Sequence, residues 1–124
     1  MAKPHLKPNR RREERIADEI LVDSYTREEH AMSWYYYLEG KLCFPFKASC
    51  TKKRATSPFR VGESVSITGL APEEDCQHEI IVLTEWNGRA LGVPLAQWTP
   101  GDVGTETKEG IEDWHYWVAM GYQY

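Results

Sequence analysis

Strict alternation of polar and apolar residues over Ser64-Val65-Ser66-Ile67-Thr68 predicts a strand buried on one face, because side chains along a strand leave on opposite sides. Glu79 to Trp86 predicts a second strand with a continuous apolar centre. Asn87-Gly88 suits a two-residue type I′ turn, since both residues tolerate positive φ, and Arg89 to Leu95 is predicted to return as the hairpin partner.

Elsewhere the apolar period lengthens. Ala31, Trp34, Tyr35 and Leu38 recur at spacings of three and four, the stripe of a helix with one buried side. Thr26-Arg27-Glu28-Glu29 has the form of a capping box, so the helix should start there, and Gly40 is its predicted stop. Ile16, Ile20 and Leu21 among dense charges predict a shorter amphipathic helix from Arg10 to about Val22. Ile111, Trp114, Trp117 and Val118 predict a third from Thr107 to Met120, ended by Gly121, with Glu109, Glu112 and Asp113 placed to complement the positive end of its dipole. Between these blocks, Pro45 lacks the amide hydrogen that a central strand needs, so the segment around it is expected to be an edge strand or extended chain. The elements together predict an α+β fold, a small SH3-like antiparallel β-barrel flanked by N-terminal and C-terminal helices.

The chain of 124 residues fits one domain with its own core. Residues 1–9 carry two prolines and two lysines without an apolar period and read as a disordered basic lead, leaving residues 10–124 as the domain. No apolar run approaches the roughly 18 residues of a membrane span, and the first residues lack the apolar segment of a secretory signal. A soluble cytoplasmic protein is expected. Cys43, Cys50 and Cys76 cannot all pair within one chain and are expected to be reduced.

The net charge of −4 conceals an uneven distribution. Residues 41–60 hold six basic and no acidic side chains, whereas residues 71–124 hold ten acidic and two basic ones. The anionic half concentrates cations and argues against an extended track for nucleic acid phosphates. The basic runs Arg10 to Arg12 and Lys52 to Arg54 keep a competing expectation open, an interaction module for nucleic acid or a protein partner.

Candidate chemistry centres on Ala71-Pro72-Glu73-Glu74-Asp75-Cys76-Gln77-His78. Ca²⁺ takes about six to eight oxygen ligands, and a loop after Pro72 can aim two carboxylates and a carbonyl at one point, which a straight strand cannot. A solvated acidic turn is the plainer alternative. No EF-hand loop is present in the sequence, so a calcium site would be assembled from separate segments, with Asp102, Glu106 and Glu39 as further candidates and Gly101 and Gly104 admitting close backbone approach. Zinc would use Cys43, Cys50, Cys76 and His78, but paired short knuckles are missing. His30 and His115 read as surface or packing residues. Tyr35-Tyr36-Tyr37 and Trp114 to Trp117 read as core and helix packing. No nucleophile comes with the base and orienting group that catalysis needs, so an enzyme is not expected.

Five segments in one order, Trp34 to Glu39, Phe44 to Ala48, Leu70 to Cys76, Val93 to Gln97 and Asp113 to Trp117, resemble the cyanobacterial calcium-binding protein family, CcbP-like, over roughly residues 25–122. The resemblance implies a small acidic bacterial protein that holds Ca²⁺ without EF-hands, as an intracellular buffer or sequestering protein, with ligands from loops around the barrel. The expected metal ligands are Glu39, Glu73, Glu74, Asp75 and Asp102. The resemblance also implies an acidic residue directly after the glutamate at the helix end. This chain has Gly40 there, so one side-chain ligand of that family pattern is absent.

Overall fold

The computed structural model describes residues 8–122 and Tyr124. Most of the lead expected over residues 1–9 therefore lies outside the described residues. Asn9 caps α1 (Arg10–Arg15) by accepting from the Arg12 amide at 3.0 Å. The helix then widens into a π-helical turn over Ile16–Ile20, closed by the bond from Leu21 N to Ile16 O at 2.9 Å, and its buried residues are Ile16 and Ile20.

Helix α2 (Arg27–Lys41) starts on the capping box predicted for it. Thr26 Oγ1 accepts from the Glu29 amide at 3.1 Å, and the Glu29 carboxylate accepts from the Thr26 amide at 3.2 Å. Its buried residues are Ala31, Trp34, Tyr35 and Leu38, the stripe read from the sequence. Gly40 does not stop the helix. It lies inside the last turn, and Leu42 takes extended backbone before the cis peptide bond between Phe44 and Pro45.

Five strands follow, β1 (Phe46–Cys50), β2 (Ser64–Leu70), β3 (Ile81–Trp86), β4 (Arg89–Pro94) and β5 (Trp98–Pro100), in the spatial order β4-β3-β2-β1-β5 with every neighbouring pair antiparallel. Two expectations need correction. β1 is not an edge strand but is bonded to β2 and β5; Pro45 stands one residue before it, where its missing amide hydrogen costs the ladder nothing. The proline that does join a ladder, Pro100, sits on the edge strand β5 opposite Ala48. The sheet is also open. β4 and β5 stand at its two ends, and closure into a barrel requires the end strands to share a ladder. The structure is thus α+β, with an open five-stranded antiparallel sheet and three α-helices among the described residues. The β3–β4 hairpin turns at Asn87 and Gly88, with φ of 52° and 76° as a type I′ turn demands.

Helix α3 (Thr105–Ala119) runs across the end of α2. The Cys43 amide donates to Thr107 Oγ1 at 2.9 Å, and a Cβ on Gly110 would stand 3.1 Å from Lys41 Cβ and 3.3 Å from Leu38 Cδ2, so the absence of a side chain permits the approach. Trp34 on α2 meets Trp114 on α3 edge to face at 5.1 Å. Among the described residues no helix is long and apolar enough to cross a membrane.

Asp113 does not serve the helix dipole, since the acidic residue in the first turn of α3 is Glu106. Asp113 has no exposed surface and is gripped by Arg15, whose Nη1 reaches Oδ2 at 2.9 Å and whose Nη2 bonds Oδ1. Tyr37 donates its hydroxyl to Oδ2 at 2.6 Å, and Arg12 Nε stands 3.7 Å from Oδ1. Burial, then the bond to Asp113, pushes the Tyr37 hydroxyl well above its ordinary pKa. A carboxylate four residues after Glu109 and one before Trp114 gives no hint of this partner, because Arg15 is 98 residues away in sequence.

His115 is partly buried, with Nε2 3.3 Å from the Leu95 carbonyl oxygen, and burial lowers its pKa. The unfolded chain therefore binds a proton at His115 more readily than the folded one. Its neutral form suits the fold above the ordinary histidine value of about 6.5, and stability contributed there is lost as pH falls below that value. Melting temperatures across pH 7.5 to 5.5 should fall less in His115→Gln than in the parent protein; parallel curves would show that His115 does not drive the loss.

Candidate metal centre

The connection between β2 and β3 carries the acidic stretch. Pro72, at φ −55°, opens a single 3₁₀ turn over Glu73–Cys76, closed by the bond from Asp75 N to Pro72 O at 2.9 Å. Ala71 N donates to Ile81 O at 3.0 Å, so the turn rises directly from the ladder. Cys76 is its apolar anchor, 2% exposed, with Sγ accepting from the Ile81 amide at 3.4 Å. Burial pushes this thiol's pKa up, with Asp75 and Glu73 adding to it, so it remains a neutral packing group.

Three tyrosine hydroxyls hold the turn. Tyr35 donates to the Ala71 carbonyl at 2.8 Å and Tyr124 to the Cys76 carbonyl at 2.6 Å, both in buried settings. Tyr36 donates to Glu73 Oε2 at 2.7 Å on the exposed side. The expectation that Tyr35 to Tyr37 serve packing is thus incomplete. Tyr35 serves the turn's backbone, Tyr36 a carboxylate on it and Tyr37 the buried Asp113.

Four of the five expected ligands lie on these two neighbouring elements, though in the side-chain positions observed no three of them close on one point. Glu39 lies one helical turn beyond Tyr35 on α2, while Glu73, Glu74 and Asp75 occupy the facing turn. Glu39, Glu73 and Glu74 act on the tyrosines beside them. The Tyr35 hydroxyl is raised by burial, then by Cys76 and by the charges of Glu39, Glu73 and Glu74. Tyr36 is raised by its bond to Glu73 and then by the Glu73 charge, with Glu39 contributing. Asp102 is not among them. It stands in the loop between β5 and α3, lining a hollow with Cys43, Lys47, Ser66 and Thr107, where Gly101 N donates to Lys47 O at 2.8 Å.

The donor chemistry suits a hard cation. Among the described residues, Glu39, Glu74, Asp75 and Asp102 are exposed and make no hydrogen bond or ion pair with their side chains, so their negative charge is uncompensated. The soft donors do not assemble. Cys50 and Cys76 are buried, Cys43 is exposed on another segment, and His78 is exposed. In the side-chain positions observed, no three His, Cys, Asp or Glu residues among those described close on one point. A Cβ on Gly40 meets nothing within 4 Å, so there is room for the carboxylate that the resemblance leads one to expect after Glu39.

Comparison with known proteins bears on this arrangement. A family model described as calcium binding, Calci_bind_CcbP, matches residues 14–118, reaching further toward α1 than the resemblance over residues 25–122. The chain is similar to the crystal structure of Anabaena CcbP, with 36% identity and a TM-score of 0.84, each chain covered in full. It is also similar to a structure described as a calcium binding protein in the calcium-binding form, with 35% identity, a TM-score of 0.79 and full coverage of both chains. No curated protein matches it. With an acidic turn braced by tyrosines, an open sheet of matching shape and a family match spanning α1 to α3, the chain belongs to the CcbP family of calcium-binding proteins.

Proposed function

We propose that this protein binds Ca²⁺ without an EF-hand and acts as an intracellular buffer or sequestering protein. The observation that carries the reading is the set of uncompensated carboxylates at the junction of α2 and the 3₁₀ turn, in a member of a calcium-binding family. Glu39, Glu73, Glu74 and Asp75 would hold the ion. A bound Ca²⁺ supplies positive charge against mutual repulsion among these groups. Backbone oxygens and water complete the six to eight ligands that Ca²⁺ takes. Asp102, with the backbone at Gly101 and Gly104, would serve a separate contact on the loop before α3. The same reading keeps residues 10–124 as one unit, which the docking of α1 on α3 through Arg15 and Asp113 supports.

The interaction-module alternative has less to draw on. Arg54 is engaged by Glu79 at 2.9 Å, Arg10 by Glu14 at 3.2 Å, and Arg12 and Arg15 face Asp113. These basic runs are partly committed within the chain, which leaves less charge for a phosphate track.

Isothermal titration at physiological salt tests the reading. Ca²⁺ should give saturable heat and raise the melting temperature. Mg²⁺ should do so more weakly, because it holds its waters and demands a tighter octahedron. At a free concentration 100 times the dissociation constant, Ca²⁺ should add about 2.7 kcal/mol to stability. Neither heat nor thermal stabilisation at millimolar Ca²⁺ would end the proposal.

A further inference from the structure

We propose that Tyr124 is a positioning residue of the acidic turn, and that ion binding at the turn is coupled through it to the seating of the segment after α3. The proposal rests on the calcium reading above and adds a residue distant from every expected ligand in sequence.

Three contacts locate Tyr124. Its hydroxyl donates to the Cys76 carbonyl at 2.6 Å across 48 residues of sequence. Its ring lies 5.4 Å from Trp114 on α3. Its own carbonyl oxygen stands 2.9 Å from His30 Nδ1, and the other ring nitrogen of His30 stands 3.0 Å from the Ser24 carbonyl. Gly121, at φ 89°, turns the chain after α3, and Tyr122 stacks on Trp117 at 4.1 Å.

The hydroxyl acts on the turn's backbone. Cys76 is the last residue of the 3₁₀ turn, and Ala71 stands just before Pro72, so the hydroxyls of Tyr124 and Tyr35 fix the turn at its two ends. Between those pins lie Glu73, Glu74 and Asp75, whose like charges repel one another. A turn already held in shape forfeits less conformational freedom when it binds, so its affinity is higher. Removing the Tyr124 hydroxyl leaves the buried Cys76 carbonyl without that donor and frees the exit of the turn. Linkage makes the coupling reciprocal: an ion that favours the pinned turn also favours the seated Tyr124.

Tyr124→Phe keeps the ring against Trp114 and deletes only the donor. Calcium titration should give affinity about three- to tenfold weaker, the range set by one hydrogen bond, with a faster release rate in stopped-flow chelation. Tyr122→Phe, which loses a hydroxyl that reaches Glu13 rather than the turn, should bind as the parent does. A purely structural role for Tyr124 predicts a lower melting temperature without a change in affinity, and that result overturns the proposal. Amide hydrogen exchange on the unaltered protein supplies an arm that no folding defect can obscure. Ca²⁺ should slow exchange in the peptide that follows Tyr116, and unchanged exchange there overturns the coupling. If the unaltered protein binds no Ca²⁺, the calcium reading fails and takes this one with it; if it binds and Tyr124→Phe matches it, only the role of Tyr124 fails.

Discussion

Arg15→Ala is expected to lower the unfolding free energy by about 3 kcal/mol, since removing one partner of a buried ion pair leaves the other charge uncompensated. Asp113 has no exposed surface, and in the variant it would retain only the Tyr37 hydroxyl and a more distant Arg12. For a chain of this size the melting temperature should drop by roughly 10 °C. Arg15→Met with Asp113→Leu replaces the pair by apolar groups and should recover much of the loss, because burying both charges carries a desolvation cost that the apolar pair avoids. Thermal melts of the single and double variants decide the matter. A single variant that melts within about 2 °C of the parent, less than 1 kcal/mol for this size, would show that the carboxylate finds another partner or takes up a proton at little cost.

Loss of ion binding is the second large effect. Glu73→Gln, Glu74→Gln and Asp75→Asn together should weaken Ca²⁺ binding by about a hundredfold or more, since the charge count of the ligands is a main control on affinity. Stability without the ion should hardly change. Glu74 and Asp75 are exposed and unpaired, surface substitutions of that kind cost within about 0.5 kcal/mol, and a glutamine at position 73 can still accept from Tyr36. Binding that survives the triple substitution would move the site to other residues, with Asp102 and Glu39 next to examine by the same titration.

The parts of the structure that follow from neighbouring residues were legible in the sequence. Thr26 and Glu29 close a capping box three residues apart, Asn87-Gly88 makes its turn from its own backbone preference, and the stripe from Ala31 to Leu38 depends only on helical period. What was not legible depends on partners far along the chain. Nothing near Asp113 announces Arg15, and nothing near Cys76 announces Tyr124. Pro45 bars a central strand at its own position yet stands immediately outside one, a difference of one residue that propensity does not resolve. Gly40 has the chemistry of a helix stop, yet Lys41 extends the helix past it. At the candidate site, the adjacent carboxylates were visible as letters, while the placing of the helix that carries Glu39 beside the turn depends on the packing of α2. The separate position of Asp102 equally followed from the sheet, which carries the loop before α3 to the side of Lys47 and Ser66.

The tyrosine pins on Ala71 and Cys76 have a consequence for how such a protein can change over time. They grip main-chain carbonyls, so the two ends of the turn are set by residues outside it, and of positions 73 to 75 only Glu73 adds a side-chain contact, to Tyr36. Those three positions can therefore be exchanged one at a time without dismantling the scaffold, and Gly40 offers a fourth with open space around it. Affinity for an ion and integrity of the fold become separately heritable traits, which lets descendants of one architecture drift across a wide range of calcium concentrations while remaining folded.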